Sequence, residues 1–390
     1  VSRPGSRDRS MSLAELIRPG ATVAIADGMG APRTVSAELS AIAREVGDVR
    51  LVLGWLPTPD DALDVTAFAD VRVLMGGWGM RGPIKDGTVT QVPCRWSQAP
   101  VLMESSLRPD VVIASVVEAR RGGWTLGAAV GWVPAALRAG ATLAAVVTPE
   151  LPRASVAGLA ASAVTIVGED EALPATLEFP EPEDVHRRLG EQVASLIPEG
   201  ARLQVGPGAL GTAVLDAVRA PVSIDSGLLP GAVVDLERRG LLLGNPMGTY
   251  LAGDAELLAW AHDRPLLHPI DFTHDGTRLV SSGPFVAVNT ALEIDDQGQV
   301  NVEGPRDRPI ASPGGHPDYA AAAARSPQGL SVIAVPSTHR GRPTLVDQLS
   351  GPVSTPGYDV DVVVTENGIA HLRGLGRDER ARTLRALWER

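Results

Sequence analysis

An α/β fold in two domains is what this 390-residue chain predicts, and three observations predict it. Helix-period stretches alternate with short apolar runs from residue 21 to the C-terminus, a Pro- and Glu-rich segment breaks the alternation at 168–184, and a glycine-rich turn follows the first strand of each half. Apolar runs bounded by Gly, Pro or Asp place strands at 22–26, 49–53, 71–75, 111–117, 142–147 and 163–167, with helices at 35–46 and 155–161. The segment GEDEALPATLEFPEPED reads as a linker, which puts the boundary near Asp184 and divides the chain into domains 1–184 and 185–390. The second half predicts a helix at 185–197, a strand ending in LQVGPG, a helix at 211–218, strands at 222–224, 286–293, 332–335 and 360–365, and a closing helix rich in Arg and Glu. The turns ADGMGAP (26–32) and QVGPGA (204–209) fit either a pair of related domains facing each other or two unrelated domains that both need glycine after a strand. No repeat period appears, which excludes solenoids and propellers.

Composition narrows the partners. The 46 Asp and Glu outnumber 35 Lys and Arg for a net charge of −11, and no basic run exists to displace counterions from a phosphate backbone, so nucleic acid is not expected. Seven Trp, three Tyr and four Phe leave the core to small aliphatic side chains, which favours tight helix-on-sheet layers. Cys94 has no second cysteine to pair with, and this fits a reducing, cytoplasmic setting. The most apolar stretch, 126–147, is interrupted by Trp132, Pro134, Arg138 and Thr142, so no membrane span is expected. The opening residues VSRPGSRDRS lack an apolar core of the kind a secretory signal needs. The seven histidines show neither HxH nor HExxH spacing, and no metal is expected.

In open α/β sheets, ligands settle beyond the carboxyl ends of strands, where turns into helices expose N–H groups that favour anions. Five glycine-bearing turns qualify: Gly28 with Gly30, Gly206 with Gly208, Gly244 with Gly248, Gly314 with Gly315, and Gly368. None is a Walker A sequence, and none fits GxGxxG, so neither ATP hydrolysis nor dinucleotide binding is supported. One glycine relieves one positive φ, but five such turns point to a large cleft. His316, inside SPGGHPDY, is either an acid or base near neutral pH or a solvated loop residue.

Ordered blocks then carry a resemblance. FVAVNTALEIDDQGQVNVEG (285–304), SPGGHPDYAAAAARSPQG (312–329) and DVVVTENGIAHLRGLGRDERA (361–381) resemble the signature segments of the acetyl-CoA hydrolase/transferase family, within the class I CoA-transferase superfamily and akin to the 4-hydroxybutyrate/acetate CoA-transferases. ADGMGAP, PDVVIASVVEARRGGWTLG, TPELPR and LQVGPGALGTAV are similar more loosely. The resemblance implies two doubly wound α/β domains with the active site between them, an acyl-CoA substrate, no permanently bound cofactor, a small carboxylic acid as a second substrate, and a homo-oligomer such as a dimer. It implies that Gly314 and Gly315 supply N–H donors to an oxyanion, that Gly206 and Gly208 face the acyl group, and that Gly244, Gly248 and His316 line the coenzyme site.

One departure stands out. The family's glutamate nucleophile lies in a segment like H(S/T)EMxSDGxxDLxExG, and the matching stretch SIDSGLLPGAVVDLERRG (223–240) puts Gly227 at that place. Asp225, two residues upstream, is either a shorter carboxylate that polarises water or a cap on the turn after its strand. Ser226 has no evident base. Glu366 in TENG, Glu293 and Asp295 read as architectural. Three functions follow in order: an acyl-CoA hydrolase or other acyl-CoA converting enzyme without covalent catalysis, a CoA-transferase using Asp225 or another carboxylate, and a silent acyl-CoA-binding protein. Trp78, Met80 and Met247 are as consistent with core as with pocket wall.

Overall fold

The computed structural model describes residues 9–76, 80–171, 176–177 and 179–389, so Trp78 and part of the 168–184 segment lie outside the described residues. The chain groups into two compact units: residues 1–94, 98–177 and 249–271 form the first, and 95–97, 178–248 and 272–390 the second. The stretch 249–271 therefore returns to the first unit, a crossing that a single boundary near Asp184 leaves out.

The first unit is built on a parallel sheet whose strands lie in the order Arg9–Ser10, Val164–Glu169, Thr142–Val147, Val111–Glu118, Thr22–Ile25, Arg50–Trp55, Asp70–Met75 and Thr90–Gln91. The chain starts at Thr22–Ile25, moves outward to Thr90–Gln91, and then restarts on the other flank with Val111–Glu118. Such reversal is the mark of double winding. Strands covered on both faces read as unbroken apolar runs, and VVIASVV is buried at every residue from 111 to 117. Leu39 and Ile42 from helix Ser36–Val46 pack with Val23, Leu51, Val71, Val111 and Val146 in one apolar cluster. Burying each such side chain contributes about 1.5–3 kcal/mol.

The second unit repeats the plan. Its sheet runs Ser223–Ile224, Arg202–Val205, Phe285–Asn289, Leu330–Ala334, Val362–Thr365 and an antiparallel edge, Gly368–His371. The order reverses between Arg202–Val205 and Phe285–Asn289, which are parallel neighbours. Helix Asp184–Ala194 packs on helix Ala209–Ala217, while helix His316–Arg325 packs beside Phe285 and Ala287 through Tyr319, Ala322 and Ala323.

Two expected elements are corrected. The helix expected at 155–161 is absent: Ser155 bridges to Leu267, the Val156 N–H donates to the Leu267 carbonyl, and Gly158–Leu159 forms a short strand. A backbone already paired with 249–271 has no donors to spare for helical bonds. The strand expected at 286–293 ends at Asn289, and Glu293–Asp295 joins a separate three-stranded sheet with Val300–Asn301 and Leu345–Val346.

Close packing at the second reversal yields a stability prediction. A Cβ on Gly211 would stand 2.0 Å from the Gly206 carbonyl oxygen, whereas one on Gly231 meets nothing within 4 Å. Thermal unfolding is expected to show Gly211→Ala losing about 1–3 kcal/mol or more, with Gly231→Ala neutral or slightly more stable. Equal melting temperatures for the two variants would contradict the packing.

Candidate active site

Each unit opens a cavity at its own strand-order reversal, where open α/β sheets expose backbone N–H groups. In the second unit the crevice is small, about 20 Å³, and is lined by Gly206, Pro207, Leu210, Gly211, Val288, Asn289 and Thr290. The Gly206 N–H donates to Val288 O at 2.9 Å. Asn289 and Gln204 exchange side-chain amide bonds of 3.1 and 3.2 Å beneath the crevice, which fixes both amides. Gly208, at φ 111°, starts helix Ala209–Ala217. The sequence thus placed Gly206 and Gly208 correctly at a strand end that turns into a helix.

In the first unit a cavity of about 210 Å³ is lined by Gly28, Met29, Arg33, Ser115, Thr148 and Asp170 among others. Behind Gly28 lies Asp27, which is 1% exposed and accepts from the Tyr250 hydroxyl at 2.6 Å and the Trp55 N–H at 2.9 Å. The Trp132 indole nitrogen stands beside this carboxyl without a well-formed hydrogen bond. Burial pushes the Asp27 carboxyl up to about 7, more than these donors pull it down. Its Oδ1 lies 1.6 Å from where a Cβ on Gly54 would stand, so only glycine leaves it room.

Asp225 is placed deep in the second unit. It is 0% exposed, its two oxygens accept from Arg278 at 2.8 Å each, and Oδ2 also accepts from Arg202 at 2.9 Å. Its own N–H donates to Leu203 O at 3.0 Å. A carboxylate locked against two guanidiniums and shut off from solvent is a poor nucleophile and a poor partner for water, and its oxygens bind arginines rather than the backbone N–H groups of a turn, a setting that neither expectation named. Arg278 also donates to the carbonyls of Phe272 and Thr273, and Arg202 to that of Leu279.

That clamp positions His274, which sequence spacing had passed over. His274 is 4% exposed, its Nδ1 meets the Thr273 hydroxyl at 2.9 Å, and its ring lies 4.7 Å from that of Tyr319. Burial pushes the imidazole down to about 3, with the Arg278 charge acting the same way, so the ring is neutral at ordinary pH. Burial drives the Tyr319 hydroxyl well above its usual range and keeps it protonated. That hydroxyl reaches no hydrogen-bond partner of sound geometry among the described residues, although the Thr273 side chain stands near enough to favour its ionised form slightly. Gly315 closes in on the same ring: a Cβ there would stand 2.5 Å from His274 Nε2 and 2.9 Å from the Tyr319 ring. Gly227 approaches from another segment, its Cβ position 3.2 Å from Nε2 and 3.3 Å from the Tyr319 oxygen. The structure therefore brings Asp225, Gly227 and Gly315 together around His274 and Tyr319.

The remaining expected residues have other surroundings. Gly314, at φ 56°, accepts from the Trp96 N–H at 2.9 Å, and Ser97 N–H and hydroxyl bind Asp318 at 3.0 and 2.7 Å, so the loop is fastened on both sides. His316 Nδ1 meets the Thr355 hydroxyl at 2.7 Å and Nε2 the Thr290 carbonyl at 3.2 Å; both ring nitrogens are engaged, and burial pushes the ring down to about 4. Both ring nitrogens thus tie His316 to Thr355 and to the strand end at Thr290. Gly244 turns the chain at φ 66° in an exposed loop, and Gly248 leaves space for Leu229, 2.6 Å from its Cβ position; neither lines the crevice. Glu366 accepts twice from Ser337, Glu293 from Asn301 and Ser350, and Asp295 from Gln297 and Gln299, all architectural. Among the described residues no group of His, Cys, Asp and Glu could hold a metal, and no helix is long and apolar enough to cross a membrane.

Comparison with known proteins adds three findings. A family model for the acetyl-CoA hydrolase/transferase C-terminal domain matches residues 253–387. The chain is similar to the 4-hydroxybutyrate coenzyme A transferase of Clostridium kluyveri, 29% identical over 80% of this chain and 77% of that one, and to the acetyl-CoA hydrolase of Saccharomyces cerevisiae, 28% identical over 53% and 40%. The crystal structure of RipA from Yersinia pestis has the same fold, with a TM-score of 0.88 at 24% identity, covering 96% of this chain and 92% of RipA.

Two predictions test the buried carboxyls. Asp225→Ala strands two guanidiniums and is expected to cost about 3–5 kcal/mol in denaturant unfolding; a loss below about 1 kcal/mol would show the clamp to be unimportant. For Asp27, a folded value of about 7 against 3.8 means that its stabilising contribution is complete below the unfolded value and is lost as pH rises from about 4 to about 7. Asp27→Asn is expected to flatten the decline in stability across that window, at about 1.4 kcal/mol per pH unit for one proton. An unchanged pH profile would refute the raised value.

Proposed function

We propose that this chain, whose residues 253–387 match the acetyl-CoA hydrolase/transferase C-terminal domain and which is similar to a coenzyme A transferase and an acetyl-CoA hydrolase, is an enzyme that hydrolyses, or otherwise converts without a covalent carboxylate intermediate, a small acyl-CoA. The observation that carries this reading is the state of the carboxylates around Gly227. The place matched to the nucleophile has no side chain, and Asp225 beside it is spent on Arg202 and Arg278. Transfer by way of a mixed anhydride needs a free carboxylate at that place.

Hydrolysis needs less. A water lone pair adds to the thioester carbon while the C=O π pair moves onto oxygen. Collapse restores the carbonyl and expels coenzyme A as a thiolate, which ends with the proton that water gives up. Donors aimed at the oxyanion lower that barrier. In this reading Gly206 and Gly208 bear on the acyl group, and Gly314 and Gly315 lie beside the reacting carbonyl. Coenzyme A is substrate, not resident cofactor. A cytoplasmic setting and a homo-oligomeric, dimeric assembly are part of the same proposal, supported by the lone Cys94 and the family resemblance.

Incubation of the purified protein with a panel of acyl-CoAs, with and without acetate or succinate, is expected to release free thiol in the absence of acceptor. Exchange of coenzyme A that requires the acceptor and releases no thiol would instead establish transfer.

A further inference from the structure

The core of the first unit ends in hydroxyls. Val111, Ile113, Ala144 and Val146 belong to one apolar cluster with Leu39 and Ile42 of helix Ser36–Val46. Side chains two apart on a strand share a face, and Ser115 pairs in register with Val146, so Ser115 and Thr148 continue that stripe towards the carboxyl ends of their strands. Both line the cavity of about 210 Å³ found there, yet they are only 5% and 4% exposed. The Thr148 hydroxyl makes one long bond, 3.4 Å to the Val146 carbonyl, and that of Ser115 makes none among the described residues. A hydroxyl buried without a partner is costly, and an aliphatic side chain would extend the core free of that cost. Arg33 lines the same cavity beside its exposed neighbour Thr34. It donates to the Thr58 and Pro59 carbonyls at 3.0 and 2.9 Å and to the Thr58 hydroxyl, which leaves guanidinium N–H groups to spare. Among the described residues no carboxylate pairs with it. Met29, Leu151 and Leu177 supply apolar wall.

We propose that this cavity binds a short hydroxylated monocarboxylate, its carboxylate on Arg33 and its hydroxyl on Ser115 and Thr148. The inference goes beyond the acyl-CoA reading and needs no thioester. A guanidinium with unused N–H groups matches the oxygens of a carboxylate, and such charge-assisted bonds are roughly twice as strong as neutral ones. A serine hydroxyl donates and accepts at once, which an alcohol answers and a bare hydrocarbon does not. Asp170 also lines the cavity, and its carboxylate opposes a second carboxylate or a phosphate dianion, so the ligand carries a single negative charge. The volume is several times one water's share of about 30 Å³, which leaves room for a chain of a few carbons against Met29 and Leu151. The signal in the sequence is slight: one serine inside the otherwise apolar run VVIASVV.

The test titrates the purified chain, by calorimetry, with β-hydroxybutyrate, butyrate, succinate and inorganic phosphate. β-Hydroxybutyrate is expected to bind wild type about tenfold more tightly than butyrate, as one or two neutral hydrogen bonds allow. The double variant Ser115→Ala, Thr148→Val removes only hydroxyls and is expected to fold with an unchanged or higher melting temperature. It is expected to erase the preference for β-hydroxybutyrate while leaving butyrate affinity at the wild-type value. Arg33→Gln is expected to weaken both acids about 10- to 100-fold, as the loss of a charged hydrogen bond does, and Arg33→Lys to recover part of that loss. Equal affinity for the two acids in wild type would overturn the assignment, and so would tighter binding of succinate or phosphate, or no binding at all. A preference that survives in the double variant, or an equal loss of both acids there, would overturn it too, as would wild-type affinities in Arg33→Gln. Thioester turnover is read separately, by free thiol, so the acyl-CoA reading stands or falls on its own.

Discussion

Two guanidiniums share one carboxylate in the interior of the second unit, and the arrangement of its reactive end depends on that clamp. Arg202 reaches Asp225 from a sheet strand, Arg278 from helix Gly276–Ser281, and Asp225 itself hangs from the end of strand Ser223–Ile224. Three segments that share no local sequence are thereby fixed to one another. Buried charges tolerate little slack, because each hydrogen bond lost leaves an ion in a poor dielectric. The arginines have apolar contacts too: Arg278 lies 4.3 Å over the Phe272 ring and Arg202 5.2 Å over that of Phe285.

What the clamp holds is a neutral imidazole against a protonated phenol. Burial keeps the His274 ring neutral, the nearby Arg278 charge acts the same way, and Arg278 also ties down the backbone on which the ring stands. Gly315 lets helix His316–Arg325 begin hard against the imidazole, and Gly227 brings a second segment close to the same ring.

The two units follow one architectural logic and differ in what they bury. Each reverses its strand order beside its first glycine turn, and each opens its cavity there. In the first unit the residue behind the glycine is an acid raised towards neutrality and hydrogen-bonded by a tyrosine hydroxyl; in the second the corresponding strand end is closed by a reciprocal amide pair. Gly54 and Gly211 show the cost of this economy, since a single added carbon at either meets an oxygen at 2.0 Å or less.

The sequence by itself determined the α/β class, six of the strand positions of the first half and the glycine turns at strand ends. Parallel strands buried on both faces must be continuous apolar runs, and a turn into a helix at such an end favours glycine. The expectation that Gly227 stands where the family's glutamate lies came from residues matched in order alone. Tertiary structure alone decided the fate of 155–161, whose partner is Leu267, and the pairing of Asp225 with arginines from distant segments. His274 and Tyr319 had no signature to find: neither lies at a telling interval from the other or from Gly227. Their neutral, ring-against-ring setting arises from burial and from contact between distant segments, which only three dimensions supply.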